Sequence, residues 1–295
     1  PPRSTLFPYT TLFRSRINAV GRMGDAERAV RLLTTNDSIE ARQIAEVLEQ
    51  ENRHRKNVDE ETFRQALSMV QQSFDQTLTR SLVLHQRGWH PGVIGIVASR
   101  VVEKYYRPTV LISIENGVGK GSARSIEGFD LHDALKGCED LLIGYGGHKY
   151  AAGLSIQEEN IGEFKSRFEE IAGHRLRDEQ LVPKLTIDAE ITLAEIDAMF
   201  LKLLRYFAPF GPQNMRPVFV SKKLQVVGSP SLVGSNHLKF KVRQHDHVFD
   251  VIGFGMGDLA YRVRSGENGI DLAFVIEENE WMGRKGIQLR AKDIR

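Results

Sequence analysis

The sequence predicts an α/β domain followed by an all-β domain, and three observations carry that fold class. Between residues 81 and 171 short apolar runs alternate with helical patterns, the arrangement of a compact layered α/β unit. From residue 218 onward short strands follow one another between Gly, Ser, Asn and charged turns, the spacing of a small barrel. Ahead of both, apolar residues recur only at helical intervals against a wide polar face, the pattern of a long helix packed on one side. A chain of 295 residues has room for two ordinary domains.

Each element follows in order. Residues 1–15 fit nothing after them. They lack an apolar core behind a cationic start and a small-residue cleavage site, so they make a poor secretory leader. They are set aside as a non-native leader, with Arg16 the first native residue, further sequence expected upstream, and residues 16–37 expected to be poorly anchored. Asp25 can cap a short helix through Leu33, and Asn36 or Asp37 the next, because their side-chain oxygens accept the free N–H groups of a first turn. Ala41, Ile44 and Leu48 recur at helical spacing. Beyond the charged stretch 51–56, Phe63, Leu67, Val70 and Phe74 do the same, which predicts a long connecting helix. Residues 81–84 read as a strand, 90–105 as a loop and apolar helix, and 109–114 as a strand. Asn116-Gly117 is a hairpin turn because both residues tolerate positive φ, and 120–125 form the returning strand. Asp130 caps a helix holding Leu131, Ala134, Leu135 and Cys138. A glycine-rich loop at 144–147 leads to a strand ending at Ile156, and a helix with Phe164, Phe168 and Ile171 closes the unit. Residues 174–183 read as a polar linker, and 193–206 as a helix. Strands are expected at 218–220, 224–227, 237–242, 248–254, 271–276 and 286–290.

Composition excludes several classes. A hydrophobic share of 41% suits a cored protein, and no run approaches the roughly 18 apolar residues of a membrane helix. The single cysteine, Cys138, rules out an internal disulfide framework and makes a reducing cytoplasm the expected location. Net charge is only +2, so any case for nucleic-acid binding rests on local patches.

Three strings can carry chemistry. Gly121-Ser-Ala-Arg-Ser-Ile126 sets hydroxyls beside a guanidinium: Ser122, Arg124 and Ser125 can jointly bind a phosphate if a bulge or turn brings Ser125 to the face of Arg124. The bland alternative is an ordinary strand end. Gly146-Gly-His-Lys-Tyr-Ala-Ala-Gly153 uses Gly146 and Gly147 to present His148, which can donate to a phosphate oxygen or act as a general acid; otherwise it is a glycine loop with a surface histidine. Trp89-His-Pro-Gly-Val-Ile-Gly-Ile-Val-Ala-Ser-Arg100 places glycines at a helix start, where free N–H groups favour anions. A buried apolar helix accounts for most of it, leaving His90 and Arg100 unexplained.

Taken together, in order and spacing, these strings resemble the DHH-associated domain of the RecJ nucleases. Arg16-Ile-Asn-Ala-Val-Gly-Arg22 is similar to the motif that ends the family's catalytic DHH domain, although Ser15 stands where the family usually has Pro. Pro209-Phe-Gly-Pro-Gln-Asn214 and Glu280-Trp-Met-Gly-Arg-Lys-Gly-Ile-Gln-Leu289 look like the family's oligonucleotide-binding (OB) barrel. The resemblance covers residues 16–295 and implies the end of a DHH domain with its connecting helix at 16–78, a DHH-associated domain at 79–177 and an OB-fold domain at 178–295. It implies a 5′→3′ single-strand DNA exonuclease of repair and recombination. Ser122, Arg124 and Ser125 would line a 5′-phosphate pocket, with His148 facing the scissile phosphate, Arg22 nearby and His90 a weaker member. It further implies single-stranded DNA as substrate, a monomer, and a single-strand-binding protein and a RecQ-type helicase as partners. Mn²⁺ or Mg²⁺ would act in the complete enzyme, but the Asp-rich motifs and Asp-His-His triplet that hold metal in the family are absent from this sequence. No metal is expected to bind here, and the chain alone is expected not to hydrolyse DNA.

In the barrel, Lys239, Lys241 and Arg243 share one strand face at period two, with Lys222 and Lys223 adding charge. Phe240 and Phe219 are candidate aromatic faces for a single-strand groove. Trp281 is either a stacking platform or a core plug. His245-Asp-His247 alternates on an expected strand and reads as a solvated face rather than a metal site. Two other readings compete: a single-strand-binding module without catalysis, and a small-nucleotide phosphodiesterase of the DHH superfamily. The appended barrel and long helix favour polymeric DNA over the second. The alanine-tRNA-synthetase C-terminal region shares the glycine-histidine loop but not the Gly121 string or the barrel.

Overall fold

The computed structural model describes residues 6–211, 213–234, 236–265, 269–281 and 284–295, with side chains from Ser15 onward except at 73, 265, 280, 281, 284 and 285. The chain divides into two compact units, Pro1–Pro183 and Lys184–Arg295.

The first unit opens with three helices, α1 (Leu6–Met23), α2 (Glu27–Thr34) and α3 (Ser38–Ser73). Asp37 caps α3 by accepting from the Ile39 and Glu40 N–H groups. The charged stretch 51–56 does not interrupt α3, which runs for 36 residues with Leu48, Ala66 and Val70 buried along one stripe. The expectation of a poorly anchored start is corrected. Ala19 and Val20 of α1 are fully buried and Arg16 pairs with Glu49 of α3 at 2.5 Å, so α3 itself supplies the packing surface. A single helix also crosses the boundary expected at residue 15.

An α/β layer follows: β1 (Leu82–Arg87), α4 (Pro91–Tyr105), β2 (Thr109–Glu115), β3 (Val118–Arg124), α5 (Leu131–Lys136), β4 (Leu142–His148), β5 (Ala151–Gln157) and α6 (Ile161–Arg175). The strands lie in the order β1-β2-β3-β5-β4. β1 and β2 are parallel, joined by α4 as the crossover, and the remaining pairs are antiparallel. Alternation sends Ala123, Ala152, Leu154 and Ile156 to one face, where they pack on Phe164, Phe168, Leu131 and Leu135 of α6 and α5. Leu82, Leu84 and Leu111 go to the other, beneath α4 and the end of α3. Asn116 and Gly117 take φ of 51° and 79°, the hairpin turn their residue types predict.

Two expectations change. The glycine-rich stretch at 144–147 is not a loop but lies inside β4. Residues 174–183 are not a free linker: Leu176 and Leu181 are buried in the first core. There the 3%-exposed Arg107 guanidinium donates to the carbonyls of Gln76, Thr79, Tyr105, Tyr106 and Leu181. The boundary near 178 therefore moves to 183/184.

The second unit holds β6 (Ala189–Glu190), α7 (Ala198–Tyr206), β7 (Phe219–Val233), β8 (His237–Gln244), β9 (His247–Gly253), α8 (Ala260–Ser265), β10 (Ile270–Trp281) and β11 (Arg284–Ile294). The pairing β7-β8-β9-β11-β10 closes through β10 on β7 into a five-stranded barrel, with β6 added at β7. The two strands expected at 218–227 are one long β7, bulged where its register on β8 shifts between Val227 and Ser231. The helix expected at 193–206 is divided into a turn at Leu193–Glu195 and α7, which Asp197 caps. Among the described residues no helix is long and apolar enough to cross a membrane.

Candidate phosphate and nucleic-acid interface

The first unit gathers its candidate residues around the start of α4. Pro91 occupies the first helical position, where its missing N–H costs nothing. His90 caps the helix: its Nδ1 accepts the Gly92 N–H at 3.0 Å. A Cβ at Gly92 would stand 2.1 Å from the Arg22 carbonyl oxygen, and one at Gly95 would stand 2.9 Å from both Arg124 Nη2 and Ser122 Oγ. Glycine at these two places lets the last turn of α1 and the end of β3 press against the first turns of α4. There the helix N–H groups create a positive potential.

Arg124 is half-buried, and its Nη1 donates to Ser122 Oγ at 3.1 Å and to the Ala123 carbonyl at 2.7 Å. Burial first, and then the neighbouring Arg22 guanidinium, push its pKa below the ordinary arginine value. Among the described residues no carboxylate forms an ion pair with either arginine. Two guanidiniums beside a helix N-terminus, one of them half-buried, with hydroxyl support and no counter-charge, form a site that an anion relieves.

Sheet register relates this group to His148. Arg124 pairs with Ala151, which pairs with His148 on its other side; Ser122 pairs with Gly153, which pairs with Gly146. Paired residues of antiparallel strands point to the same face. Ser122, Arg124, Gly146 and His148 therefore share the face that carries α4, with His148 two strands and roughly 10 Å from Arg124. Ala151 stands between them, and further along the strands the exposed Gly144, Gly146 and Gly153 form a floor with no side chains. The Tyr150 N–H donates to His148 Nδ1 at 3.2 Å, so in the neutral ring the proton sits on Nε2, the free donor of an exposed imidazole. Gly147 holds φ of 143°, and a Cβ there would stand 2.4 Å from the Ala151 carbonyl oxygen; glycine is what allows the strand to deliver His148 to this place.

Ser125 requires a correction. It follows β3, its Oγ donates to the Phe129 carbonyl at 2.7 Å and its N–H to the Tyr150 carbonyl at 3.0 Å. Its hydroxyl is spent on the fold, and Ser122 alone accompanies Arg124. Arg100, unexplained by sequence, pairs with Asp59 and Glu60 of α3 and stacks 3.7 Å over the Phe63 ring, a clamp between α3 and α4.

On the barrel, Lys239, Lys241 and Arg243 project from one face of β8 while Leu238, Phe240 and Val242 are buried. Lys241 is partly neutralised by Asp250 at 3.4 Å, and Arg243 donates to the Gln225 amide oxygen at 3.0 Å. Lys222 is paired with Glu190 at 2.7 Å. Phe240 and Phe219 are core residues, not stacking faces, because alternation turns them inward. An exposed aromatic that the sequence argument missed is Phe254, whose ring meets His237 at 5.1 Å; His237 extends the cationic row by one step of two, the signal that would have found it. The Trp281 side chain lies outside the described residues. Of His245-Asp-His247, only His247 is on a strand, as the first residue of β9; His245 and Asp246 turn the β8–β9 hairpin, with His245 at φ of 54°.

The chain matches the DHHA1 domain over residues 75–174 and the RecJ OB domain over residues 187–293. It is 37% identical over 283 residues to the single-stranded-DNA-specific exonuclease RecJ of Bacillus subtilis (strain 168), covering 94% of this chain and 35% of that protein. Crystal structures of Thermus thermophilus RecJ in complex with Mg²⁺ and with Mn²⁺ superpose with a TM-score of 0.77 at 30% and 31% identity, covering 95% of this chain and 42% and 40% of theirs. The chain thus spans well under half the length of these relatives. Among the described residues no group of three or more His, Cys, Asp or Glu side chains is placed to hold a metal ion, so they do not supply the donor set of a two-metal centre.

Proposed function

The chain belongs to the RecJ family over the region it spans, and from that premise we propose that its first unit receives the 5′-terminal phosphate of single-stranded DNA while its barrel holds the strand behind that end. The observation that carries the proposal is the row Arg124–Ala151–His148 on one exposed sheet face, with Ser122 and the start of α4 beside it. Arg124 offers charge and a planar donor fork, Ser122 a neutral hydroxyl, and α4 the positive potential of its N-terminus. His148, beyond Ala151 and beside the glycine floor, presents Nε2–H to an oxygen of the next phosphodiester and can transfer that proton as a bond to it breaks. The floor lets a sugar–phosphate backbone lie against the sheet, which any larger side chain would hold away.

The activity of the complete protein is proposed as 5′→3′ single-strand DNA exonucleolysis with Mg²⁺ or Mn²⁺. The residues described here do not fit that metal, and this chain's own share is binding, orientation and proton donation.

The test is a titration of the full chain with oligonucleotides of one sequence, 5′-phosphorylated and 5′-hydroxyl. Arg124→Ala is expected to remove most of the preference for the phosphorylated end, about tenfold or more for a charge-assisted contact, while sparing affinity for the 5′-hydroxyl strand. Equal losses on both substrates contradict a dedicated pocket.

A further inference from the structure

The second unit holds a cleft of its own, beside Arg243 at a bulge in β7. β7 bulges at Gly228-Ser229-Pro230: Val227 is in register with Lys241 and Ser231 with Lys239, so three residues of β7 stand opposite Phe240 alone. Gly228 makes the detour with φ of 71°. A bulge of this kind swings the strand outward and leaves backbone groups without ladder partners. The gap it opens is a cleft of about 400 Å³ lined by Gln225, Gly228, Ser229, Arg243, Val263 and Arg264, with Val226 and Pro230 at its wall.

The charges around this cleft differ from those of four other arginines of the same unit. Arg205, Arg216, Arg290 and Arg295 of the same unit each pair with a carboxylate. Arg243 and Arg264 do not: among the described residues the only side-chain partner of Arg243 is the neutral Gln225 amide, and no carboxylate lines the cleft. Val263 is 2% exposed and fixes α8 to the barrel, which sets the next residue, Arg264, at the rim facing the bulge. Ser229, at the apex, adds a hydroxyl. Two guanidiniums with no counter-charge, one held by an amide, together with a hydroxyl and a bulged backbone, make up the donor set that recognises a phosphate.

We propose that this cleft binds an internal phosphodiester of the single strand and anchors it where the row Lys239, Lys241 and Arg243 ends. This deepens the reading of the barrel as a strand holder and rests on it. The cleft's ligand is the phosphodiester itself, without base preference, so the site sets processive grip rather than sequence choice.

The experiment uses the full chain and a 5′-hydroxyl oligothymidylate, which removes any contribution from the 5′-phosphate site. Affinity is measured across salt concentrations for the unaltered chain, Arg264→Ala, Ser229→Asp and, as a control, Lys104→Ala on the first unit. Each phosphate contact on a single strand contributes a slope of about 0.7 to log K against log salt. Arg264→Ala is expected to lower the slope by about that amount and weaken binding several-fold at low salt. Ser229→Asp, which brings a carboxylate into the cleft, is expected to weaken binding further, and Lys104→Ala to leave the slope unchanged. Unchanged slopes in both cleft variants overturn the cleft and leave the barrel reading standing; no binding by the unaltered chain overturns both. Displacement of the oligonucleotide by thymidine monophosphate in an Arg264-dependent manner would make the cleft a free-nucleotide site and overturn the proposal.

Discussion

Arg124 illustrates how a residue's role follows from what does not surround it. Its guanidinium is half-buried, has a second cation as neighbour, and is held by a hydroxyl and a carbonyl rather than a carboxylate. The residue types Ser122 and Arg124 were legible in sequence, whereas the loss of Ser125 to the Phe129 carbonyl was not, because it depends on the chain turning after β3. Gly95 follows from the same geometry. An added methyl there meets only the ends of the Arg124 and Ser122 side chains. Gly95→Ala is therefore expected to displace the guanidinium and cut the preference for 5′-phosphorylated oligonucleotides, with the thermal midpoint shifting by only a few degrees; retention of the full preference would show that the guanidinium needs no fixed seat. Cys138 is the opposite case, a residue with no place in the site. It is fully buried, and burial pushes its thiol pKa up to about 11. At pH 8 it is expected to resist a disulfide reagent in the native chain and to react once in denaturant; rapid native-state reaction would contradict the packing described for α5.

Among the elements, those with local signals were legible in sequence. The Asn116-Gly117 turn and the Asp37 and Asp130 caps each rest on a side chain's own chemistry, and each is in place. β4 escaped because glycines carry little strand preference, and only pairing with β5 makes Leu142–His148 a strand. The anchoring of α1 escaped because its partner, the stripe on α3, is identifiable only once the two are packed. Two predictions belong here. Gly92→Ala places a methyl 2.1 Å from a backbone carbonyl that cannot swing aside. It is expected to loosen α1 from α4, measured as faster amide hydrogen exchange around Ala19 and Val20; unchanged exchange would refute the contact. Arg107 joins the α3–β1 connection, the end of α4 with the α4–β2 connection, and Leu181 through five carbonyls. Arg107→Met leaves those acceptors buried and unpaired and is expected to cost about 3 kcal/mol or more in urea unfolding of the first unit; a loss under about 1 kcal/mol would mean that water reaches them.

At the scale of the whole molecule, the fold class was legible because periodicity changes from helical to alternating along the chain. The residues of the candidate site were joined as one site only through the family resemblance; their shared face was not legible in pattern, because His148 and Arg124 are related by strand order: β5 inserts between β3 and β4 and carries them to one face. The bulk charge of +2 conceals this arrangement, because a sum says nothing of where cations such as Arg22 and Arg124 lie relative to carboxylates. The most direct measurement is an amide and imidazole NMR titration of the ¹⁵N-labelled chain with a 5′-phosphorylated oligonucleotide and its 5′-hydroxyl twin. Gly92, the Ser122–Arg124 segment and His148 are expected to shift together with the phosphorylated strand, and the first two groups far less with its twin. Shifts at His148 alone, or at the start of α4 alone, would contradict a shared face.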